Sequence, residues 1–387
     1  MAQRQFKSTD SDKWTEKYGN KSDGIGSIDT STFAEANETF TGTSGESTGT
    51  AGGTSIATND LVLIHQTQGT GAGAWELNKV TSGGSTSLTF KYALCNTYVA
   101  DAQILKLKQY SALTVNSGQT WTDSAWDGSK GSILACLVNG VTTITGGILA
   151  TGKGFQKGGT VSSGLGEGQQ AHGTKGEGGT ASAAANGNGG GGGDGGGGNE
   201  AGAGGGGGGN ATTGDTGQIN VSGNRYGGTG GEIKGNAGLT LMVPGGGGGG
   251  GAGDGTTANG GSGGNGGGII FIISKTITGT GTITLGGNAG ALGSGGTTER
   301  RGCGGGGAGG SLLFKGQIID VSAMTITALA GAGGGGDGSR TGGIGSVGRI
   351  HVDYLTTLTG TTTPTLDSTK DATLATAGGG GFLMNFI

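Results

Sequence analysis

Two stretches, 204–209 and 245–251, are uninterrupted glycine, and a third, 302–310, is glycine at all but two positions. Such runs have no side chains with which to build a core. Each glycine also loses more backbone entropy on ordering than any other residue, roughly 0.5–1 kcal/mol relative to alanine. With 103 glycines among 387 residues, two prolines and 12% charged residues, the composition is one that ordinarily stays disordered. A fold built on these runs has to be held by the backbone. An extended helix of the polyproline-II type has three residues per turn and no internal hydrogen bonds, so its N–H and C=O groups point outward. Glycine helices lack the Cβ that would keep them apart, so several can pack and satisfy one another laterally. Continuous glycine then marks the interior of a bundle. Interrupted runs such as Asn186-Gly187-Asn188 mark its rim.

Outside the glycine, the pattern is β. Residues 60–66, 75–80, 88–92 and 104–108 are short apolar or alternating segments separated by Gly/Ser/Thr clusters, which predicts half-buried strands. From about 111 a repeat emerges. Its copies at 131–150, 268–285, 310–320 and 348–358 each read as strand, short turn and second Thr/Ile strand, with a glycine-rich excursion after the first three. One such unit cannot bury its apolar edge alone, so the units stack as a β-solenoid and the excursions project from it. The expected architecture is therefore all-β: an N-terminal docking segment over 1–45, a β domain over 46–130, a parallel β-solenoid over 131–360 and a tail over 361–387. The solenoid carries polyglycine-II helix bundles inserted at 155–267, 286–310 and 331–346. Trp14, Tyr18, Phe33 and Phe40 stand in a polar N-terminal background and predict burial against a neighbour.

Several function classes find no support. The formal charge of −4 comes from scattered residues, so neither nucleic acid nor a membrane surface is an expected partner. No apolar run has transmembrane length, and the polar, charged start is not a secretory signal. Assembly in a cytoplasm followed by lysis is one route out for such a chain. Cys95, Cys136 and Cys303 are odd in number and widely spaced, which predicts free thiols rather than a disulfide frame or a zinc site. Gly147 to Lys153 imitates the start of a phosphate-binding loop, but Gly154 follows where Ser or Thr is required. Asp194, Asp254 and Asp337 lack the period of calcium-binding repeats and read as turn residues. His65, His172 and His351 are far apart and read as structural. Asp320 and Asp353, on the last two coils, form the one carboxylate pair a polysaccharide-cleaving solenoid could use. Trp75, Trp121 and Trp126 are expected in the core, with stacking on sugars as the alternative.

The phrases 61–79 and 115–129, with the strand, glycine-rich excursion and strand pattern from 131 to 352, resemble glycine-rich proteins of tailed bacteriophages. The long excursions resemble the polyglycine-II sandwich of T-even-like tail-fibre tip adhesins. That resemblance implies a rigid glycine lattice whose loops at one end bind a host receptor. Here the candidate tip residues are Asn210, Thr212, Thr213, Asp254, Thr256, Thr257, Glu299, Arg300, Arg301, Ser339 and Arg340, mostly small and polar. Candidate assembly residues are Trp14 and Tyr18 at one end and Phe382, Leu383 and Phe386 at the other.

Together these features predict a non-enzymatic, virion-attached fibre or adhesin on the tail or capsid. Its expected partners are other virion subunits, further copies of itself, and a host glycan or outer-membrane protein. No catalytic residue, cofactor or metal is expected. A structural subunit of an extracellular filament, joined by lateral or tail-mediated contacts, is the alternative. A solenoid polysaccharide depolymerase is a second alternative.

Overall fold

The computed structural model describes residues 17–29, 36–160, 176–177, 187–195, 201–219, 225–254, 257–297, 300–335 and 339–375. Among them lie twenty strands: β1 (Ile25–Ile28), β2 (Asn37–Gly42), β3 (Thr48–Ala51), β4 (Leu61–Gln66), β5 (Trp75–Ser82), β6 (Ser87–Phe90), β7 (Tyr98–Lys106), β8 (Lys108–Tyr110), β9 (Ala112–Val115), β10 (Thr120–Thr122), β11 (Ile133–Ile144), β12 (Gly147–Leu149), β13 (Ala258–Asn259), β14 (Ile269–Gly279), β15 (Thr282–Thr284), β16 (Ser294–Gly295), β17 (Ser311–Asp320), β18 (Thr325–Thr327), β19 (Arg349–Thr359) and β20 (Asp367–Lys370).

The apolar copies in the sequence stack as coils. One parallel sheet runs β1-β9-β11-β14-β17-β19-β20, with β8 also pairing with β11, and a second parallel sheet runs β10-β12-β15-β18. The register aligns equivalent residues of successive coils: Leu134, Ile270, Leu312 and Ile350 form one ladder, and Cys136, Ile272, Phe314 and Val352 another. These ladders face inward and meet Trp121, Ile148, Ile283 and Ile326 of the second sheet in one buried cluster.

The alternate residues of the long sheet explain why 133–138 and 269–273 read as continuous apolar runs. Ile133, Ala135, Leu137, Ile269, Phe271, Ile273 and Leu313 face away from the solenoid and are also buried. What covers them is a closed antiparallel barrel, β2-β3-β6-β5-β4-β7. Strand β4 is buried throughout for the same reason. Val62 and Ile64 fill the barrel with Phe40, Val80, Leu88, Phe90 and Tyr98, while Leu61 and Leu63 turn outward to the solenoid. A strand covered on both faces loses its period of two. Trp75 packs edge-on against Phe271, with ring centroids 5.1 Å apart.

These pairings move the expected boundaries. The barrel begins at Asn37, inside the segment assigned to docking, and Phe40 is part of its core. The barrel ends at Lys106. Strands β8, β9 and β10, assigned to the β domain, pair with solenoid strands. Strand β1 joins the solenoid through β9, and β20 joins it from the supposed tail.

The glycine excursions leave the second sheet after Ala150, Leu285 and Ala328. They return at Gly268, Gly310 and Gly348, whose N–H groups donate to the carbonyls of those three residues at 2.7–2.8 Å. Between these points the described segments pair laterally, one with another, with only the short β13–β16 ribbon among them. Segment 201–210 shows the rule. Ala203, Gly206 and Gly209 donate to Asp194, Gly191 and Asn188; Gly204 and Gly207 donate to Gln218 and Asp215; Gly205 and Gly208 donate to Cys303 and Gly306, all at 2.6–3.0 Å. Its carbonyls accept in the same rhythm: Ala203, Gly206 and Gly209 from Ala252, Gly249 and Gly246, Gly204 and Gly207 from Gly228 and Gly231, and Gly205 and Gly208 from Gly343 and Ser346. From Ala203 to Gly209 each backbone group has a partner, and the partner segment recurs every third residue. Segments 245–254 and 302–310 are enclosed in the same manner, and all three are buried throughout. Only glycine permits this spacing at most positions. A Cβ on Gly207 would lie 2.0 Å from the Ile344 oxygen, and one on Gly305 2.0 Å from the Gly206 oxygen.

Candidate functional site

Hydrogen bonds orient the glycine array. One end abuts the solenoid. There Asn210 Nδ2 donates to the Gly309 carbonyl at 2.8 Å, and Asn188 Nδ2 to the Pro244 carbonyl at 3.1 Å. The connection 235–243 straps this end to the barrel. Trp75 Nε1 donates to the Leu239 carbonyl at 2.9 Å, and Met242 N to the Gly73 carbonyl at 2.8 Å. His65 of β4, fully buried, is bonded to the same strap. Its Nε2 donates to the Met242 carbonyl at 2.7 Å, which leaves Nδ1 to accept from the Thr67 hydroxyl at 2.8 Å. Burial holds this imidazole down at about 4, against a smaller opposing effect of the Met242 carbonyl. It is a neutral structural pin.

The opposite end gathers turns from several excursions. Gly202 N donates to the Arg300 carbonyl at 3.1 Å, Arg340 N to the Arg301 carbonyl at 2.9 Å, and Tyr226 N to Asp194 Oδ2 at 3.2 Å. The β13–β16 ribbon, Ala258–Asn259 against Ser294–Gly295, closes one side. Side chains exposed at this end include Thr257, Ser294 and Thr297, with Tyr226 at 70%, Ile219 at 50% and Leu292 at 49% exposure.

The candidate tip residues divide between the two ends. Arg300, Arg301 and Arg340 lie together at the far end, half-buried, and Thr257 is exposed there. Asp254 and Ser339 are at that end but buried. Asp254 accepts from Thr257 N and Ala258 N, both at 2.8 Å, and from the Thr257 hydroxyl at 3.0 Å, with Arg300 Nη1 3.7 Å away. It builds the turn and is not presented to solvent. Asn210, Thr212 and Thr213 lie at the solenoid end. Asn210 is fully buried because its amide replaces a lateral backbone donor, and Thr212 N donates to Ser346 Oγ. Thr256 and Glu299 fall outside the described residues, as do Trp14, Phe382, Leu383, Phe386 and His172. Tyr18, expected to meet a neighbour, is buried in its own chain, where its hydroxyl donates to the Leu374 carbonyl at 2.7 Å. Sequence reasoning missed Tyr226, Ile219 and Leu292. The available signal was one tyrosine and two large aliphatics set among glycines, where nothing in the interior can accommodate them.

The other candidates for chemistry do not assemble. Trp75, Trp121 and Trp126 are buried, the last edge-on to Phe155 at 5.7 Å. None presents a face for sugar stacking. Asp320 and Asp353 are not a pair. Asp353 lies opposite Lys315 in the register, which puts Asp320 five residues further along β17, about 17 Å away at 3.3 Å per residue. Glycosidase carboxylates stand about 5–9.5 Å apart. Asp320 is an exposed turn carboxylate, held down at about 2 by bonds from the Ser322 hydroxyl, the Thr359 hydroxyl and Ser322 N. Asp123 beside the barrel–solenoid seam is pushed up to about 6 by burial, against the Ser124 N–H and Lys153. The cleft is lined by Leu105, Lys106, Trp121, Ile133, Leu134 and Ala135, and its other titratable group, Lys106, is paired with Asp60 at 2.8 Å. Among the described residues no cluster of His, Cys, Asp and Glu has the arrangement of a metal site. No helix there is long and apolar enough to cross a membrane.

No protein-family profile matches this chain, and no curated protein matches it significantly. Two solved structures align over much of its length. One is the tailspike protein gp49 from Pseudomonas phage LKA1, at 10% identity and TM-score 0.19, covering 88% of this chain and 67% of the tailspike. The other is the Gp54 tailspike of Acinetobacter baumannii bacteriophage AP22, solved in complex with A. baumannii capsular saccharide. It aligns at 10% identity and TM-score 0.18, covering 87% of this chain and 57% of that one. At that level of likeness neither fold detail nor activity transfers.

Proposed function

We propose that this protein is a non-enzymatic receptor-binding fibre or adhesin of a tailed-phage virion, with a polyglycine-II lattice as the rigid arm that carries its binding loops. The observation behind the proposal is the three-residue recurrence of lateral hydrogen bonds in 201–210, 245–254 and 302–310. Three residues per turn with outward N–H and C=O groups is the geometry of the polyproline-II class. Apart from a few small side chains such as Ala203, Ala252, Cys303 and Ala308, that interior is glycine, so the larger side chains available for recognition are carried by the turns. Tyr226, Ile219, Leu292, Thr257 and the Arg300, Arg301 and Arg340 group all stand at the far end of the array. A tyrosine with aliphatic neighbours, hydroxyls and arginines suits a host glycan or a surface protein. A preorganised scaffold lowers the entropic cost of binding either. The far-end surface takes the role first given to Asn210, Thr212 and Thr213 along with the others, because Asn210 is buried and Thr212 and Thr213, though exposed, lie at the solenoid end.

Electron microscopy of the native assembly, with an antibody against 297–301, tests the attachment. Label at the free ends of appendages on phage particles supports the proposal. Label along continuous cables without particles refutes it and favours the filament subunit. The recognition surface is tested by Tyr226→Ala combined with Leu292→Ser. The expected result is loss of adsorption to host cells with unchanged thermal stability.

A further inference from the structure

Where the barrel no longer covers the long sheet, its outer face turns from apolar to charged. The ladder Ala135, Phe271, Leu313 continues to His351 and Asp367, and the ladder Leu137, Ile273 continues to Lys315 and Asp353. His351 is 2% exposed and bonds a carboxylate from each ring nitrogen: Nε2 to Asp353 Oδ1 at 3.1 Å and Nδ1 to Asp367 Oδ2 at 2.9 Å. Asp353 is also bonded by Lys315 Nζ, which lies 3.8 Å from Asp371 Oδ2. Asp371 starts the turn Ala372–Leu374, whose carbonyls receive the N-terminal segment. Lys17 Nζ donates to the Thr373 carbonyl and Tyr18 Oη to the Leu374 carbonyl, and Gln317 Nε2 adds a bond to Leu374 at 3.1 Å.

We propose that His351 is the pin of a proton-operated clasp that fastens β20 and the 371–374 turn, and with them the N-terminal segment, to the last coils of the solenoid. The argument is stoichiometric. An ionised carboxylate accepts hydrogen bonds and cannot donate. Both bonds to His351 therefore require hydrogen on both ring nitrogens, which is the imidazolium. The charged groups around the clasp are Lys315 from β17, Lys17 from the N-terminal segment, Arg349 and Asp353 from β19, Asp367 from β20 and Asp371 from the turn, with Lys275 of β14 over the Tyr18 ring. Arg349, two residues before His351 on the same face, is turned to the Asn210 and Lys234 carbonyls. It is the two ring-nitrogen bonds that require the imidazolium. On loss of the proton, one nitrogen presents a lone pair to a carboxylate. Asp353 is held by Lys315, whereas Asp367 is half-exposed and has water as an alternative partner. The Asp367 side opens, and β20 loses its side-chain anchor. Burial, despite Asp371, holds Lys17 down at about 8; its bond to the Thr373 carbonyl loses its charge assistance when it deprotonates. Loss of the imidazolium proton removes one of the two bonds, so the clasp is closed on the acid side and loosens as pH rises.

Hydrogen exchange of amides 368–370 and 372–374 in the full chain tests this between about pH 5.5 and 7.5, after correction for intrinsic rates. Protection is expected to fall about fivefold across that range, the worth of one half-exposed charge-assisted bond. In Asp367→Asn the amide can both donate and accept, so a neutral His351 keeps its partners and protection stays level. Protection independent of pH in the parent chain, or a fall in Asp367→Asn equal to the parent's, overturns the clasp. Nitrogen-15 NMR of the His351 ring in the unmutated chain gives an independent answer. Two protonated nitrogens at the acid end, with one lost at the other, supports the clasp. One neutral tautomer throughout refutes it.

Discussion

Replacing Gly305 by alanine adds a single methyl group to the centre of the glycine array. That Cβ would lie 2.0 Å from the Gly206 oxygen and 2.4 Å from its carbonyl carbon. Ordinary contact begins near 3.4 Å, so segments 302–310 and 201–210 must part by more than 1 Å, roughly the difference between making and losing a hydrogen bond. The bonds spanning that gap are Gly205 N to the Cys303 carbonyl and Gly208 N to the Gly306 carbonyl, each 2.9 Å. Both are buried, and a buried amide without a partner costs about 1–3 kcal/mol, so two cost about 2–6 kcal/mol. The entropy alanine saves in the unfolded chain returns only about 0.4–1 kcal/mol. The low end leaves about 1 kcal/mol, roughly fivefold in an opening equilibrium, and the middle of the range about 3 kcal/mol, well over tenfold. Gly147→Ala is the matched control. The atom nearest its Cβ is Thr120 Oγ1 at 3.5 Å, and its cost is expected near zero. The assay is hydrogen exchange of 201–210, with thermal melting alongside. Gly305→Ala should speed exchange of Gly205 and Gly208 roughly fivefold or more, and Gly147→Ala should leave them unchanged. Equal behaviour of the two variants would falsify the claim that close backbone contact is what requires glycine here.

Two further outcomes follow from the same physics. His65 is neutral in the fold, where burial pushes its pKa down to about 4 from about 6.5 for a free imidazole. The unfolded chain therefore takes up the proton first as pH falls. The stabilisation is complete above about 6.5 and is lost progressively down to about 4, up to roughly 3 kcal/mol. Denaturant midpoints measured between these limits should fall steeply in the parent and less steeply in His65→Gln; parallel slopes would remove His65 from the account. Cys136 and Cys303 are buried and Cys95 is half-buried, all three as free thiols. A thiol reagent should reach at most Cys95 in the native protein and all three after denaturation, and rapid native labelling of Cys303 would contradict its enclosure.

Much of the solenoid was legible because its code is local. Apolar alternation in Leu134, Cys136 and Val138 or in Ile270 and Ile272 marks the inward face wherever it occurs. The barrel's closure was not legible. Six strands alternate equally well in a sandwich or an open sheet, and the outward Leu61, Leu63 and Trp75 declare their partner only when Ile133 and Phe271 stand opposite. Phe40 looked like an aromatic in search of a neighbour, and the neighbour was β7 of its own chain. The glycine interior was legible for a negative reason, since nothing else fits. Which turn lies at which end was hidden, because a glycine run reads alike in both directions. Asn210 has the composition of an exposed loop and yet its amide is internal. Asp254 looked like a solvated tip and is the bracket of its own turn.

A lattice of identical residues does not know its own alignment. Sliding segment 201–210 by three residues past its neighbours would restore nearly the same bonds, so the interior is degenerate in register. The information that removes the degeneracy sits at the margins, in Asn188, Asn210, Asp254 and the straps 235–243. The same degeneracy sets a rule for change. With the proposed polyproline-II geometry, adding three residues to every segment would lengthen the array by about 9 Å at 3.1 Å per residue, with each turn still facing as before. Adding one would swing it by a third of a revolution. The reach of this structure can therefore grow in fixed steps without disturbing what its far end displays.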